Sequence, residues 1–265
     1  MTEHSPERAA RDVADNPWME RLARAGFVAS GLIHLMVGAL AIQIALGGGG
    51  EADSGGALQA LGSAPGGAIL LWICTIGILA LALFQILAVV AGGGGAGDRI
   101  KVLGKGVLYG ALGVSALQYA TGSGGSGGES TTSMTGRLMQ LPFGPILVAV
   151  VGAAVIGVGI YHVHKGWTRG FLKDLRAPSH GTLGRGITGA GMAGYIAKGV
   201  ALVIVGALFC LAAWQSDPDE ATGLDGALKT LAGQPFGTAL LLAVAVGLIL
   251  YGVYSIARAR YARMD

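Results

Sequence analysis

Residues 26–46 read GFVASGLIHLMVGALAIQIAL, and this stretch decides the fold class. It contains no Asp, Glu, Lys or Arg in 21 residues. A transmembrane α-helix needs about 20 predominantly apolar residues to cross ~30 Å of hydrocarbon. The apolar residues are continuous and do not alternate with polar ones, which favours a helix over a strand of a β-barrel. The stretch therefore predicts a membrane-spanning helix.

Five further stretches of the chain have the same character. The 265 residues are 52% hydrophobic and 12% charged, whereas a soluble domain carries about 25% charged residues. This composition excludes a water-soluble globular core. We expect an all-α, polytopic membrane protein with six transmembrane helices. The predicted spans are Gly26–Leu46, Gly67–Ala91, Val102–Thr121, Phe143–Tyr161, Gly194–Trp214 and Phe236–Ala257.

The basic residues lie almost entirely on one side of these spans. On that side are 16 of the 18 lysines and arginines, and only Arg137 and Lys229 lie on the other. By the positive-inside rule, both termini and the loops after the second and fourth spans are cytoplasmic. We therefore expect a multi-pass protein of the cell inner (plasma) membrane. The net charge of +3 is too small to indicate a nucleic-acid partner.

The chain contains one helix hairpin three times. Setting Gly31, Gly106 and Gly199 in register aligns the odd-numbered spans. Each even-numbered span follows an outer loop and a proline turn, which we expect to begin the returning helix. Because each copy crosses the membrane twice, the repeats are parallel and related by a pseudo-three-fold axis along the membrane normal. The proline turns are Pro65-Gly66-Gly67, Pro142-Phe143-Gly144 and Pro235-Phe236-Gly237.

This repeat predicts the domain organisation of the chain. It consists of a cytoplasmic N-terminal tail (1–17), three repeats of two membrane helices each (18–92, 98–166 and 191–263) and a basic cytoplasmic linker (167–190).

Several short motifs resemble those of a known family. They are GFVASG at 26–31, GYIAKG at 194–199, QPFG at 234–237, YGVY at 251–254 and ARY at 259–261. The chain resembles the three-repeat actinobacterial membrane family called Domain of Unknown Function 1206 over residues 18–263. The first copy departs from the pattern, since Ser30 replaces a basic residue. Because the motifs consist mainly of Gly, Pro and aromatic residues, the resemblance implies an architecture and no reaction.

His34 is the one ionisable residue well inside a span, about 12 Å from the predicted cytoplasmic end. Ionisable residues at this depth are candidates for function. One interpretation is a neutral histidine hydrogen-bonded inside the bundle, with Tyr109 at the aligned position as its partner. A proton relay or ligand site is another. A metal or haem site would need further histidines, and His162 and His164 lie at a different depth.

Other polar residues repeat between the copies. Gln43 and Gln118 occupy matching positions and are expected to form interhelical hydrogen bonds. Lys105 and Lys198 also match, just inside odd-numbered spans. They either snorkel to the cytoplasmic interface or form a basic pocket for an anionic lipid head group. The pocket would be completed by Arg24, Arg99 and Arg185.

The linker after the fourth span alternates basic with large apolar residues. This pattern predicts an amphipathic segment that lies on the anionic inner leaflet. Its apolar residues are Trp167, Phe171, Leu172 and Leu175, and its basic residues are Lys165, Arg169, Lys173 and Arg176.

No catalytic motif is found in the sequence. There is no Walker A sequence, nucleophile elbow, paired-histidine zinc motif or intramembrane carboxylate pair. A GxGxxG match at 189–194 follows no strand, so it does not predict a dinucleotide site. Cys74 and Cys210 lie in apolar runs and are expected to pack between helices. We therefore expect no enzyme activity, catalytic residue, metal site or cofactor.

These observations favour a non-enzymatic scaffold or accessory subunit. Its expected partners are membrane lipids, through anionic head groups of the inner leaflet, and helices of other membrane proteins. Two alternatives remain open. One is a small-solute or proton pathway along the pseudo-three-fold axis, and the other is a haem- or quinone-associated redox subunit.

Overall fold

The structure, a computed structural model, describes residues 17–63, 67–69, 71–73, 75–79, 82, 106, 110, 112–122, 127–176 and 181–262. Within these residues it is all-α, apart from one isolated β-bridge between Leu175 and Ala262. Two short 3-10 helices cover Gly170–Asp174 and Pro218–Glu220. The α-helices in the described part are α1 (Pro17–Ala45), α2 (Ser54–Ser63), α3 (Gly127–Met139), α4 (Gly144–Trp167), α5 (Gly181–Gln215), α6 (Gly223–Ala232) and α7 (Gly237–Tyr261).

Helices α1, α4, α5 and α7 are long and apolar enough to cross a membrane. They account for the first, fourth, fifth and sixth predicted spans. In the second predicted span a shorter apolar helix covers Gly67–Leu79, and in the third the described residues 112–120 are helical. The structure therefore provides four candidate spans in the described part of the chain, and the six-span arrangement remains a prediction.

Helix α5 is longer than one membrane span. Its 35 residues extend over about 52 Å at ~1.5 Å per residue, against ~30 Å of hydrocarbon. The extra length lies at its N-terminal end, which begins at Gly181, inside the segment predicted as a linker. Ten of the 24 residues of that linker (181–190) therefore continue the helix of the fifth span.

Two antiparallel helix pairs are in backbone contact along glycine seams. On α4, Gly152 and Gly159 lie against Gly206 and Gly199 of α5. A Cβ added at Gly159 would come 2.8 Å from the Gly199 carbonyl oxygen, and one added at Gly206 would come 2.6 Å from the Gly152 carbonyl oxygen. Small residues allow this approach, and membrane helices associate chiefly through such close packing. The pair α4–α5 joins the second predicted repeat to the third.

The pair α1–α7 uses the same device and joins the third repeat to the first. Gly31 lies against Gly252. A Cβ added at Gly38 would come 2.8 Å from the Ala245 carbonyl oxygen. In each helix the two small residues are seven apart, so they lie on one face, two turns from each other. The second and third predicted spans, which belong to the first and second repeats, are also in contact. A Cβ at Gly113 would come 2.6 Å from the side chain of Leu79.

Helices α5 and α7, both in the third repeat, also pack together. Gly194 of α5 lies against the backbone of Tyr251, and Gly247 of α7 lies against Ala197. Helix α1 packs on its other side against residues of the second and third predicted spans, including Leu71, Ile78 and Ala116.

The outer corners before α4 and α7 are equivalent, as the repeat predicts. Phe143 and Phe236 have nearly the same backbone angles (φ 63°, ψ 17° and φ 61°, ψ 16°). Both rings project outward, with exposed fractions of 76% and 88%. We expected Pro142 and Pro235 to begin the helices, and this prediction is wrong. Each precedes its phenylalanine in a turn, and the helices begin at the following glycine.

Candidate functional site

A line of polar and aromatic side chains lies in the half of the bundle that is predicted to be nearer the cytoplasm. We call it the polar file, and it consists of His162, Tyr195, Tyr251 and His34, with Lys198 beside it. Ring centroids are 5.7 Å apart between the first two residues, 5.2 Å between the tyrosines and 4.6 Å between Tyr251 and His34. Four different helices, α4, α5, α7 and α1, supply these residues.

The file crosses from the membrane boundary towards the middle of the bilayer. Tyr195 lies 20 residues before the outer end of α5 at Gln215, about 30 Å along the helix. His34 lies 11 residues before the outer end of α1 at Ala45, or about 17 Å. A full span is ~30 Å, so the file begins near one end of the candidate spans and ends near their middle. The charge pattern predicts that this end is cytoplasmic.

Both histidines are held by their own helices. In His34 the Nδ1–H donates to the Ser30 carbonyl oxygen at 2.7 Å, and in His162 it donates to the Val158 carbonyl oxygen at 2.8 Å. A carbonyl oxygen accepts only, so the neutral imidazoles carry their proton on Nδ1. This leaves the Nε2 of each ring as a hydrogen-bond acceptor for a neighbouring donor.

Lys198 brings a positive charge into the same region. Its Nζ lies 4.3 Å from the ring centroid of Tyr251, a distance typical of a cation–π contact. No carboxylate in the described part of the chain forms an ion pair with it. Intramembrane charges are costly unless they are compensated, and here the aromatic ring supplies part of that compensation.

The end of the file that is predicted to be cytoplasmic is covered by residues of the linker. Phe171 has an exposed fraction of 0% and lies in a cluster with Tyr195, Tyr251 and Tyr254. Leu175 is buried in the same cluster. The prediction that this segment presents its apolar side to the inner leaflet is therefore wrong for these two residues, because the bundle itself buries them. Trp167 remains exposed.

Two of the three glycines in the GxGxxG match are explained by the same packing. A Cβ at Gly191 would come 2.5 Å from the ring of Phe171, and one at Gly194 would come 2.5 Å from the Tyr251 Cα. These glycines make room for a buried ring and for a neighbouring helix.

The predicted lipid-binding residues that are described have separate surroundings. Lys198 contacts Tyr251, and Arg24 donates from Nη1 to the carbonyl oxygens of Ala259 and Arg260 at 3.2 and 3.3 Å. Arg185 is exposed on the cytoplasmic extension of α5. Lys105 and Arg99 lie outside the described residues. The lipid pocket remains a prediction.

The remaining predicted polar residues differ in their outcome. Gln43 donates from Nε2 to the Gly49 carbonyl oxygen at 2.7 Å, so its amide closes its own loop and does not join two helices. Gln118 is exposed. Tyr109, the expected partner of His34, lies outside the described residues. Among those that are described, no three His, Cys, Asp or Glu side chains form a metal-binding group.

A second polar arrangement lies on the outer side. Asp225 of α6 accepts the Ala52 N–H at 2.8 Å and the Lys229 ammonium at 2.7 Å, which ties the third repeat to the first. Asp53 accepts the Gly56 N–H at 2.8 Å and caps α2. Burial raises the pKa of the Asp53 carboxyl above its ordinary value, the Gly56 N–H opposes this, and the nearby Asp225 carboxylate adds to it.

The three-fold sequence pattern matches one family model three times. The model is described as Domain of Unknown Function 1206 and matches residues 25–92, 100–169 and 193–262. The chain belongs to this family. It is 33% identical over 256 residues to the "Uncharacterized protein YxxB" of Bacillus subtilis (strain 168), covering 94% of this chain and 93% of that protein. No solved structure matches the chain.

All three matches to Domain of Unknown Function 1206 contribute to the polar file. His34 lies in the first match, His162 in the second, and Tyr195, Lys198 and Tyr251 in the third. Sequence reasoning singled out His34 and Lys198 but missed both tyrosines. Their signal was present in the motifs GYIAKG and YGVY, which we interpreted as packing elements. Phe171 lies between the second and third matches, outside the family repeat.

Proposed function

We propose that this protein is a six-span integral protein of the plasma membrane, with both termini in the cytoplasm, that acts as a non-enzymatic scaffold or accessory subunit. The observation that carries the proposal is the glycine seam between repeats. Backbones in contact leave no room for water between α4 and α5 or between α7 and α1. Such seams make a rigid wall suited to holding other membrane components in place.

The outward surfaces of the wall support this proposal. Helix α4 is apolar from Gly144 to Ile160, and Ile146, Val150 and Ile160 are exposed, with fractions near 60%. In a membrane these side chains face lipid or helices of a partner. The second and third predicted spans, which are partly described, would complete a ring beside α1. Each repeat would then contact the next, with the even-numbered span of one repeat packed against the odd-numbered span of the following one.

Site-specific photo-crosslinking tests the scaffold role in cells. A photoreactive residue at Val150, which is exposed, should crosslink to a discrete membrane protein. The same residue at Val148, which is fully buried on the same helix, should crosslink within the chain and serves as the control. If Val150, Ile146 and Ile160 all crosslink to lipid alone, the scaffold role is wrong.

The polar file favours a second candidate function, a proton or small-solute pathway. Its ionisable groups reach mid-membrane from one side, and proton carriers in membrane proteins use such residues. Purified protein in liposomes should then conduct protons, and His34→Gln should reduce this flux. Equal flux in empty liposomes and in protein-containing liposomes would exclude the pathway. A redox role is the third candidate, and a Soret absorbance band in the purified protein would support it.

A further inference from the structure

The linker segment Gly170–Leu175 is a separate structural unit at the cytoplasmic end of the bundle. It follows Arg169, which has the left-handed φ of 55° that non-glycine residues rarely adopt. The segment forms one 3-10 turn and ends where Leu175 pairs with Ala262. Beyond it, the Arg176 N–H donates to the Tyr261 carbonyl oxygen at 2.7 Å. The segment therefore docks onto the C-terminal end of α7.

Phe171 inserts its ring from this segment into the tyrosines above the polar file. It stacks on Tyr195 with a centroid distance of 5.4 Å and an interplanar angle of 15°. It meets Tyr254 edge-on at 5.2 Å and 78°. Gly191 lies beneath the ring and leaves no space for even one methyl group. The phenyl group thus fills the cytoplasmic end of the file.

Asp174 holds the segment in place from its other side. Its Oδ2 is 2.7 Å from the Lys165 Nζ of α4 and 3.7 Å from the Arg258 Nη2 of α7. The three side chains are partly exposed, and ion pairs of this kind contribute little to stability. The segment is attached by the Phe171 ring, the buried Leu175 side chain, one pair of ion contacts and one backbone bridge. The membrane helices beside it are attached by continuous backbone contact.

We propose that Gly170–Leu175 is a plug that closes the cytoplasmic end of the polar file against water and releases when Phe171 leaves its seat. The family matches support a role apart from the repeats, because the plug lies between the second and third matches. The proposal is compatible with the second candidate function. Its test measures access of a reagent and needs no transport.

The test uses a cysteine reporter beside the polar file, near the plug. Ser255 is buried and lies one helical turn from Tyr251 on the same face of α7. In a Cys74→Ala, Cys210→Ala background, Ser255→Cys is labelled with a small charged methanethiosulfonate reagent in lipid nanodiscs, where both membrane faces are open to solvent. The labelling rate should be low in the parent. It should rise by about tenfold or more when Phe171→Ala or Gly191→Ala opens the plug.

Two controls separate opening of the plug from loosening of the bundle. Gly189→Ala is matched to Gly191→Ala, because a Cβ at Gly189 would meet nothing within 4 Å, and it should leave the rate unchanged. The native thiol of Cys210 lies against Gly152 in the α4–α5 seam. In a second background that keeps Cys210, with Cys74→Ala and native Ser255, its labelling should not respond to Phe171→Ala.

Asp174→Asn provides a milder variant that keeps the ring and weakens its attachment. It should raise the labelling rate at position 255 by less than Phe171→Ala does. The proposal is overturned if labelling of Ser255→Cys is unchanged by Phe171→Ala, Gly191→Ala and Asp174→Asn. It is also overturned if Cys210 responds as strongly as position 255, since the bundle would then open as a whole.

Discussion

Gly252 of α7 and Gly31 of α1 lie backbone to backbone. A Cβ added at position 252 would come 2.7 Å from the Gly31 carbonyl oxygen, and one added at position 31 would come 2.8 Å from the Gly252 carbonyl oxygen. Gly159 and Gly199 have the same reciprocal relationship on α4 and α5. The seam between repeats is therefore a recurring contact, and the first prediction tests it.

Gly159→Ala should destabilise the protein, because a methyl group at this site must push α4 away from α5. Forcing extra volume into a packed interface costs about 1–3 kcal/mol. The matched control is Gly157→Ala, two residues away, where a Cβ would meet nothing within 4 Å. It should be neutral or slightly stabilising, since Ala favours a helix over Gly by ~1 kcal/mol. Thermal unfolding in detergent measures both, and equal midpoints would contradict the seam.

Phe236→Gly should be more stable in detergent than Phe236→Ala. Phe236 is the third residue of a turn in which the Gly237 N–H donates to the Gln234 carbonyl oxygen at 2.7 Å. Its φ of 61° is strained for any residue with a Cβ, at a cost of about 1–2 kcal/mol. The exposed ring fills no cavity, so the alanine variant should unfold near the parent temperature.

The equivalent pair at Phe143 should respond in the same way, because its backbone angles match. If glycine gives no advantage over alanine at either corner, the strain is absent. Loss of the rings should instead lower the stability of the protein in a bilayer, where aromatic residues anchor helices at the interface.

The stability of the protein to unfolding should increase as the pH falls from neutral, because of the buried carboxyl of Asp53. The folded-state pKa of Asp53 is raised above its ordinary value of 3.8, so the folded protein takes up this proton before the unfolded chain does. Stability therefore rises with falling pH through the raised pKa and levels off below ~4. Asp53→Asn, which can still cap α2, should remove this part of the pH dependence of thermal unfolding.

Asp219→Asn is the control for this measurement, since Asp219 is exposed. Its pH profile should follow that of the parent. A parent profile that falls between pH 7 and pH 4, or an Asp53→Asn profile that keeps the full slope, would contradict the assignment.

The charge asymmetry predicts the topology. A phosphatase fused to the C-terminus should be inactive and a fluorescent protein should be bright, because the tail is expected in the cytoplasm. Fusions after Gly122, in the predicted outer loop, should show the opposite pattern. An active phosphatase at the C-terminus would exclude the six-span arrangement.

Anionic lipid should copurify with the protein and be lost from the double variant Lys105→Gln, Lys198→Gln. Each basic residue near the surface contributes about 1 kcal/mol to binding of anionic lipid. Arg260→Gln is the control, because Arg260 is exposed on the last turn of α7. Arg258 is unsuitable as a control, because its guanidinium packs on the ring of Phe27 and lies 3.7 Å from Asp174. Native mass spectrometry measures the lipid, and full retention by the double variant would leave the lysines with a snorkelling role.

Much of the architecture follows from the sequence alone. Long apolar runs specify membrane helices because backbone groups in hydrocarbon must bond within their own segment. The described helices α1, α4, α5 and α7 have the length and the apolar character expected of four of these spans. The family match confirms the three-fold repeat, and the matching corners at Phe143 and Phe236 show that its second and third copies fold alike at this point. Each of these features depends on local sequence, so no partner helix is needed to infer it.

Other features depend on which surfaces meet in three dimensions. The glycine pattern is shared by the odd-numbered spans, so it cannot say that Gly31 meets α7 or that Gly199 meets α4. Phe171 has the spacing of a lipid-facing residue, yet the tyrosines of α5 and α7 bury it. Tyr195 and Tyr251 are 56 residues apart in the chain and become neighbours only through packing. Sequence by itself determined the helices and their repetition, because hydropathy acts locally. Tertiary structure alone decided the seams, the polar file and the seat of Phe171, because these depend on complementary shapes from distant segments.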